Sequence, residues 1–174
     1  QTTCVLRLFG APLWAVQQAV QQTGLAAQCR SRGAETLAAL QTETPAALSK
    51  ARKTLADRFA AELYGEGETT LAAATVQALE AHKKLLVCAD AAAGALLETR
   101  LETVAVAEKV FDFGAMSYAN AALTARLIRK LRKAPQAEPA RTLARVQAMQ
   151  KLTGAALAVG CVELPQSRLL LVGS

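Results

Sequence analysis

Residues 85–101 read LLVCADAAAGALLETRL. Leu85-Leu86-Val87-Cys88 is a short, fully apolar run, the mark of a strand covered on both faces. Ala89 to Leu101 then reads as a turn and a helix, with Asp90 placed to cap it. Downstream, Val110 to Tyr118 reads as a strand and Asn120 to Lys133 as a helix with Leu123, Leu127 and Leu131 turned inward. Pro135 and Pro139 bracket a polar linker, Arg141 to Lys151 is another helix, and Ala155 to Val162 and Leu169 to Val172 are strands. Helices alternating with apolar strands predict an α/β layered domain.

Upstream, Cys4 to Phe9 is a strand-like run stopped by Gly10, and Pro12 fits the first turn of a helix carrying Val16 and Val20 at helical spacing, with Gly24 at its C-cap. Ala26 to Arg32 and Glu35 to Thr42, separated by Gly33-Ala34, predict a hairpin. Thr44-Pro45 opens a second helix with Leu48, Ala51, Leu55, Phe59 and Leu63 on one face. The order is β-α-β-β-α. Tyr64-Gly65-Glu66-Gly67-Glu68 breaks it with two glycines, which read either as a point of domain reorientation or as a helix C-cap plus turn. Thr69 or Thr70 caps a third helix reaching about His82. The expected organisation is a module over 1–64, a hinge at 65–67 and a second domain over 68–174.

Composition narrows the function classes. Of the 174 residues 52% are hydrophobic and 20% charged, which excludes disordered and collagen-like chains. No stretch approaches the ~18 to 20 apolar residues of a spanning helix, and no secretion signal is seen, so a cytoplasmic protein without a membrane partner is expected. Gln1 is not a start methionine and the chain stops just after the apolar run Leu169 to Val172, which suggests a piece of something longer. The net charge of +6 permits an anionic partner without requiring one. Arg126, Arg129, Lys130 and Lys133 form a basic stripe at helical spacing, but 4% aromatics supply no stacking platform, so a solvated face is the expectation and nucleic acid is not. The four cysteines (Cys4, Cys29, Cys88, Cys161) lie far apart and the chain has one histidine, His82, so no zinc site is expected; buried reduced thiols are.

Five ordered stretches resemble one family. Tyr64 to Leu71 (YGEGETTL) is similar to the Y-G-E-G-D-E-T-L linker of the competence/damage-inducible protein CinA family. Leu85 to Leu101 is similar to its L-A-V-A-E-S-C-T-G-G-L-L-A-A-R-L, through Asp90, Gly94, Leu96, Leu97 and Arg100. Phe113 to Asn120 (FGAMSYAN) resembles G-G-V-V-S-Y-S-N at Gly114, Ser117, Tyr118 and Asn120. Ala156 to Val159 resembles the A-L-A-V before T-G-I-A-G-P, and Leu6 to Gly10 the L-R-L-F-G that opens a KH-like domain. The resemblance implies a KH-like module, then an α/β/α C-terminal domain, with an N-terminal domain of the parent chain as partner and a further strand and helix after residue 174. Without those last elements an edge strand or apolar face is expected to be exposed, and with it homo-oligomerisation.

Family members with an intact C-terminal domain are similar to nicotinamide-mononucleotide deamidases, and the resemblance implies a serine that attacks the amide carbonyl, assisted by a tyrosine and a lysine, because a hydroxyl is a poor nucleophile until a base takes its proton. Here the serine position is Ala91, the cysteine Ala92, the threonine Ala93, the second glycine Ala95 and the lysine Leu123. Asp90 stands where the family has glutamate, Gly94, Ser117, Tyr118 and Asn120 remain, and the T-G-I-A-G-P loop reads Gly160 to Pro165. A methyl group cannot attack a carbonyl, and a leucine cannot accept a proton. The expected function is a non-catalytic structural and assembly domain with no cofactor. The alternatives are a nucleotide-sensing module holding a phosphate of a pyridine nucleotide near Gly94, or a residual amidase rerouted through Tyr118 and Asp90. No G-x-x-G loop clamps nucleic-acid backbone in the first module.

Overall fold

The computed structural model describes residues 1–112 and 120–174. Its first sheet grows from the turn Gly33-Ala34, where Gly33 takes φ +61°, the backbone a tight hairpin needs at its first turn position. The turn joins β2 (Ala26–Arg32) to β3 (Glu35–Thr42), and β3 pairs antiparallel along β1 (Thr2–Phe9) from Thr2↔Thr42 to Phe9↔Glu35. Alternation follows the pleat: Leu6 and Leu8 of β1 and Ala38 and Leu40 of β3 are buried. They share one core with Val16 and Val20 of α1 (Leu13–Gln22) and Leu48 and Leu55 of α2 (Pro45–Arg58). Thr36 is buried in the same row and its hydroxyl donates to the Ala11 carbonyl at 2.9 Å, so no polar group is stranded there.

Helix α2 stops at Arg58 rather than carrying Leu63 on its apolar face. Phe59 leaves the helical region at φ −114°, ψ 39°, and the chain returns to the sheet as β4 (Leu63–Glu66), antiparallel to β1, where Leu63 lies opposite Leu8. The sheet order is β2-β3-β1-β4, and the element order of this part is β-α-β-β-α-β. The glycine-rich stretch is thus tied into the sheet. Gly67, at φ +63°, donates its N–H to the Val5 carbonyl at 2.9 Å and accepts from Arg7 Nε at 2.6 Å. Glu66 receives a forked hydrogen bond from Arg52 of α2, the closest contact being 2.6 Å, and the Tyr64 hydroxyl donates to Glu35. At Gly65 a side chain would press on Thr69, 3.1 Å from its Cβ.

Contacts divide the chain into two units, 1–74 and 75–174. Helix α3 (Leu71–Ala81) is capped by Thr70, whose hydroxyl oxygen accepts the Ala73 N–H at 3.1 Å. In the second unit β5 (Leu86–Cys88) runs parallel to β6 (Leu157–Glu163), and β7 (Arg168–Gly173) pairs antiparallel with the other side of β6. Helices α4 (Ala91–Leu101), α5 (Ala121–Lys130) and α6 (Ala140–Thr153) complete it. Its core gathers Val87 of β5, Leu123 and Leu127 of α5, Val146 and Met149 of α6 and Ala158 of β6. The strand expected over 110–118 is, in its described part, a single parallel bridge from Phe111 to Leu86; residues 113–119 lie outside the described residues. Helix α5 ends at Lys130, so Lys133 falls off the basic stripe.

The chain is mixed α/β, with six α-helices and two sheets among the described residues. No helix among them is long and apolar enough to cross a membrane.

Candidate functional site

Asp90 ends the turn after β5 in extended backbone, φ −148° and ψ 166°, the conformation of a helix N-cap. Its Oδ1 accepts the Ala93 N–H at 2.8 Å, and its backbone carbonyl accepts the Gly94 N–H at 3.1 Å. Its Oδ2 accepts the Cys161 N–H, across to β6, at 2.9 Å. The ladder explains that bond. Pairing of β5 with β6 runs to Cys88↔Val159 and closes with the Ala89 N–H on the Val159 carbonyl. Beyond that point β5 has turned into α4, and the Asp90 carboxylate takes the place of the missing strand for Cys161. Both oxygens of Asp90 therefore hold architecture.

Gly160 lies in the same contact. A Cβ there would stand 2.7 Å from Thr142 Cγ2 and Val146 Cγ2 and 3.2 Å from Asp90 Oδ2, so only glycine lets α6 press onto β6 beside the carboxylate. The resemblance sets Gly160 to Pro165 at a loop, whereas the apolar run predicts a strand as far as Val162; the structure follows the run, with Gly160 to Glu163 in β6 and the turn left to Leu164–Ser167. A glycine inside an apolar strand is the available signal of such a close approach.

The other positions fall apart from one another in role. Ala91 is exposed at the first position of α4, while Ala93 and Gly94 are buried beneath it. Asn120 is exposed and caps α5, its Oδ1 accepting the Leu123 N–H at 3.1 Å. Leu123 is 8% exposed and belongs to the core of the second unit. Ser117 and Tyr118 lie outside the described residues. His82 is exposed just past α3, and Arg126, Arg129 and Lys130 are exposed on α5. Concavities of about 390 Å³ between α1 and α2 and about 540 Å³ on the face of the first sheet that carries Val5 and Leu37 include none of the resemblance positions.

All four cysteines are free, but only Cys88 and Cys161 are buried; Cys4 and Cys29 are half-buried, packed against the border of the first core. Among the described residues no three His, Cys, Asp or Glu side chains converge as a metal site requires. Burial pushes the Cys88 thiol up from an ordinary 9.0 to about 12, with the Asp90 and Glu98 carboxylates adding to it. Burial likewise raises Cys161, again with Asp90 contributing. The folded state keeps these protons where the unfolded chain loses them. The associated stability is thus full below pH 9.0 and declines as pH climbs toward 12. A Cys88→Ala variant is expected to lose stability at pH 8 and to close the gap to the wild type above pH 10; urea titrations at both values check it.

Compared with models of known protein families the chain matches none, and no curated protein matches it in sequence.

Proposed function

We propose that this chain is a CinA-like protein in which a KH-like module precedes a domain of the nicotinamide-nucleotide amidase type that has lost its chemistry. In this reading the second domain is structural, supports the N-terminal domain of a longer cytoplasmic parent chain and mediates assembly. The observation that carries the reading is the state of Asp90: one oxygen caps α4 and the other completes β6, so the carboxylate is engaged on both sides by the backbone of the fold. Leu123 supports it, since the position of the family's lysine is part of the core. Phosphate sensing at the start of α4 is disfavoured, because the Ala93 and Gly94 N–H groups are already taken by Asp90 and its carboxylate faces any incoming anion.

The test is an ammonia-release assay with nicotinamide mononucleotide at high protein concentration, paired with calorimetry. No turnover and no saturable binding are expected. Turnover that disappears in Tyr118→Phe overturns the reading in favour of a rerouted amidase. Micromolar binding without turnover, lost in Gly94→Val, overturns it in favour of nucleotide sensing.

A further inference from the structure

Between Asn120 and Val162 the sequence carries eight lysines and arginines and a single acid, Glu138. The surplus of this stretch alone is larger than the +6 of the whole chain. Among the described residues none of the eight takes part in an ion pair. Glu138 is turned to the start of α6 instead, where its Oε2 accepts the Thr142 N–H at 3.2 Å and the Thr142 hydroxyl at 2.7 Å.

The fold gathers part of this charge in one place. Helices α5 and α6 share a core through Leu127 and Val146, and the end of the first and the start of the second bound a groove of about 280 Å³. Arg132, just past α5, lines it together with Arg141 and Arg145, one turn apart on α6, and with Ile128, Leu131 and Pro135. Arg132 and Arg141 are exposed and Arg145 is half-buried, while Arg129 is exposed on α5 three residues before Arg132. The basic stripe seen in the sequence belongs to one helix; the groove joins arginines from two. No acid lines it. Guanidinium groups on the walls of one concavity repel one another and focus a positive potential into it, which an anion relieves.

We propose that this groove docks the phosphate backbone of a nucleic-acid duplex, with Arg132, Arg141 and Arg145 on the phosphates and Arg129 beside them, and with no reading of base sequence. The planar fork of a guanidinium matches two phosphate oxygens at once. Solvent screens a lone phosphate held by exposed arginines, so affinity has to come from a ligand that repeats its charge, and a duplex carries one charge for every ~1.7 Å of its axis. A single strand is disfavoured because no aromatic residue lies between Asn120 and Val162 to stack on its bases, whereas a duplex stacks its own. A bilayer is disfavoured because Leu123 and Leu127 are committed to the core, which leaves α5 no apolar face to lay into lipid. A mononucleotide brings one phosphate and gains little here, so this docking is compatible with the absence of saturable mononucleotide binding expected above.

The test is fluorescence anisotropy of a labelled DNA duplex with the full chain over a potassium chloride series. Micromolar binding at low salt is expected, alike for duplexes of different sequence. The logarithm of the association constant should fall against that of salt with a slope of roughly −3 to −4, at about −0.9 for each phosphate met. The double variant Arg132→Ala with Arg141→Ala should weaken binding about tenfold or more and flatten the slope by about 2. Arg126→Ala with Lys130→Ala removes the same charge from α5 outside the groove and should cost about threefold at most. All four side chains are exposed, so thermal unfolding should not move in either variant. A chain that binds no duplex at low salt overturns the proposal, and so does equal loss in the two double variants, which would reduce the attraction to net charge. Tighter binding of a single strand of the same length, or displacement of the duplex by polyglutamate at equal charge, overturns the duplex as the occupant.

Discussion

A Leu123→Lys variant is expected to unfold the second unit, not to restore a catalyst. Leu123 is 8% exposed and packs in the core with Val87, Leu127, Val146 and Met149. Removing its buried apolar surface costs about 2 kcal/mol, and the ammonium must either be desolvated or drag the first turn of α5 outward, so a total of about 3–5 kcal/mol is expected. Leu123→Met keeps volume and polarity and should stay within about 1.5 kcal/mol of the wild type. Urea denaturation measures both. The double variant Ala91→Ser with Leu123→Lys should accordingly show no ammonia release. A lysine variant as stable as the methionine one would mean that the position can open to solvent, and the case for a lost active site would weaken with it.

Asp90→Ala should destabilise the same unit by about 2–4 kcal/mol. One part is the lost cap on α4, typically about 1 kcal/mol; the other is the Cys161 N–H, left without an acceptor inside β6 at a cost of about 1–3 kcal/mol. Asp90→Ser separates them, since a hydroxyl can cap the helix but is too short to span to β6. Asp90→Asn can offer one oxygen, and its amide then sets a donor against one of the two N–H groups. The expected order of stability is wild type, Asn or Ser, then Ala, read from thermal unfolding. An Asp90→Ala protein within about 0.5 kcal/mol of the wild type would remove the structural account of this carboxylate.

How much of this was open to sequence reading depended on range. Local signals held: Gly33 turns the hairpin, Pro45 starts α2, Thr70 caps α3, Asp90 caps α4 and the apolar run before it is β5. β4 was missed because it is only four residues long and Gly65 and Glu66 are depleted in strands; its place is set by β1, through Leu8 opposite Leu63 and the Val5 carbonyl that accepts the Gly67 N–H. The candidate site divided in the same way. That Ala91 and Leu123 cannot do amidase chemistry is plain from residue type, whereas the burial of Leu123 needs the helices that surround it.

The sequence alone determined where the backbone must turn, which faces are apolar and which side chains have no reactive group, since each of these is settled by a residue and its near neighbours. Only the tertiary structure decided what Asp90 is for. Its cap on α4 spans three residues and could be inferred, but its bond to Cys161 joins positions 71 apart and exists because the pairing of β5 stops at Val159 while β6 runs on through Cys161. Hydrogen-bond partners supplied by a distant strand leave no periodicity and no spacing in the chain, so they become visible only when the strands are laid side by side.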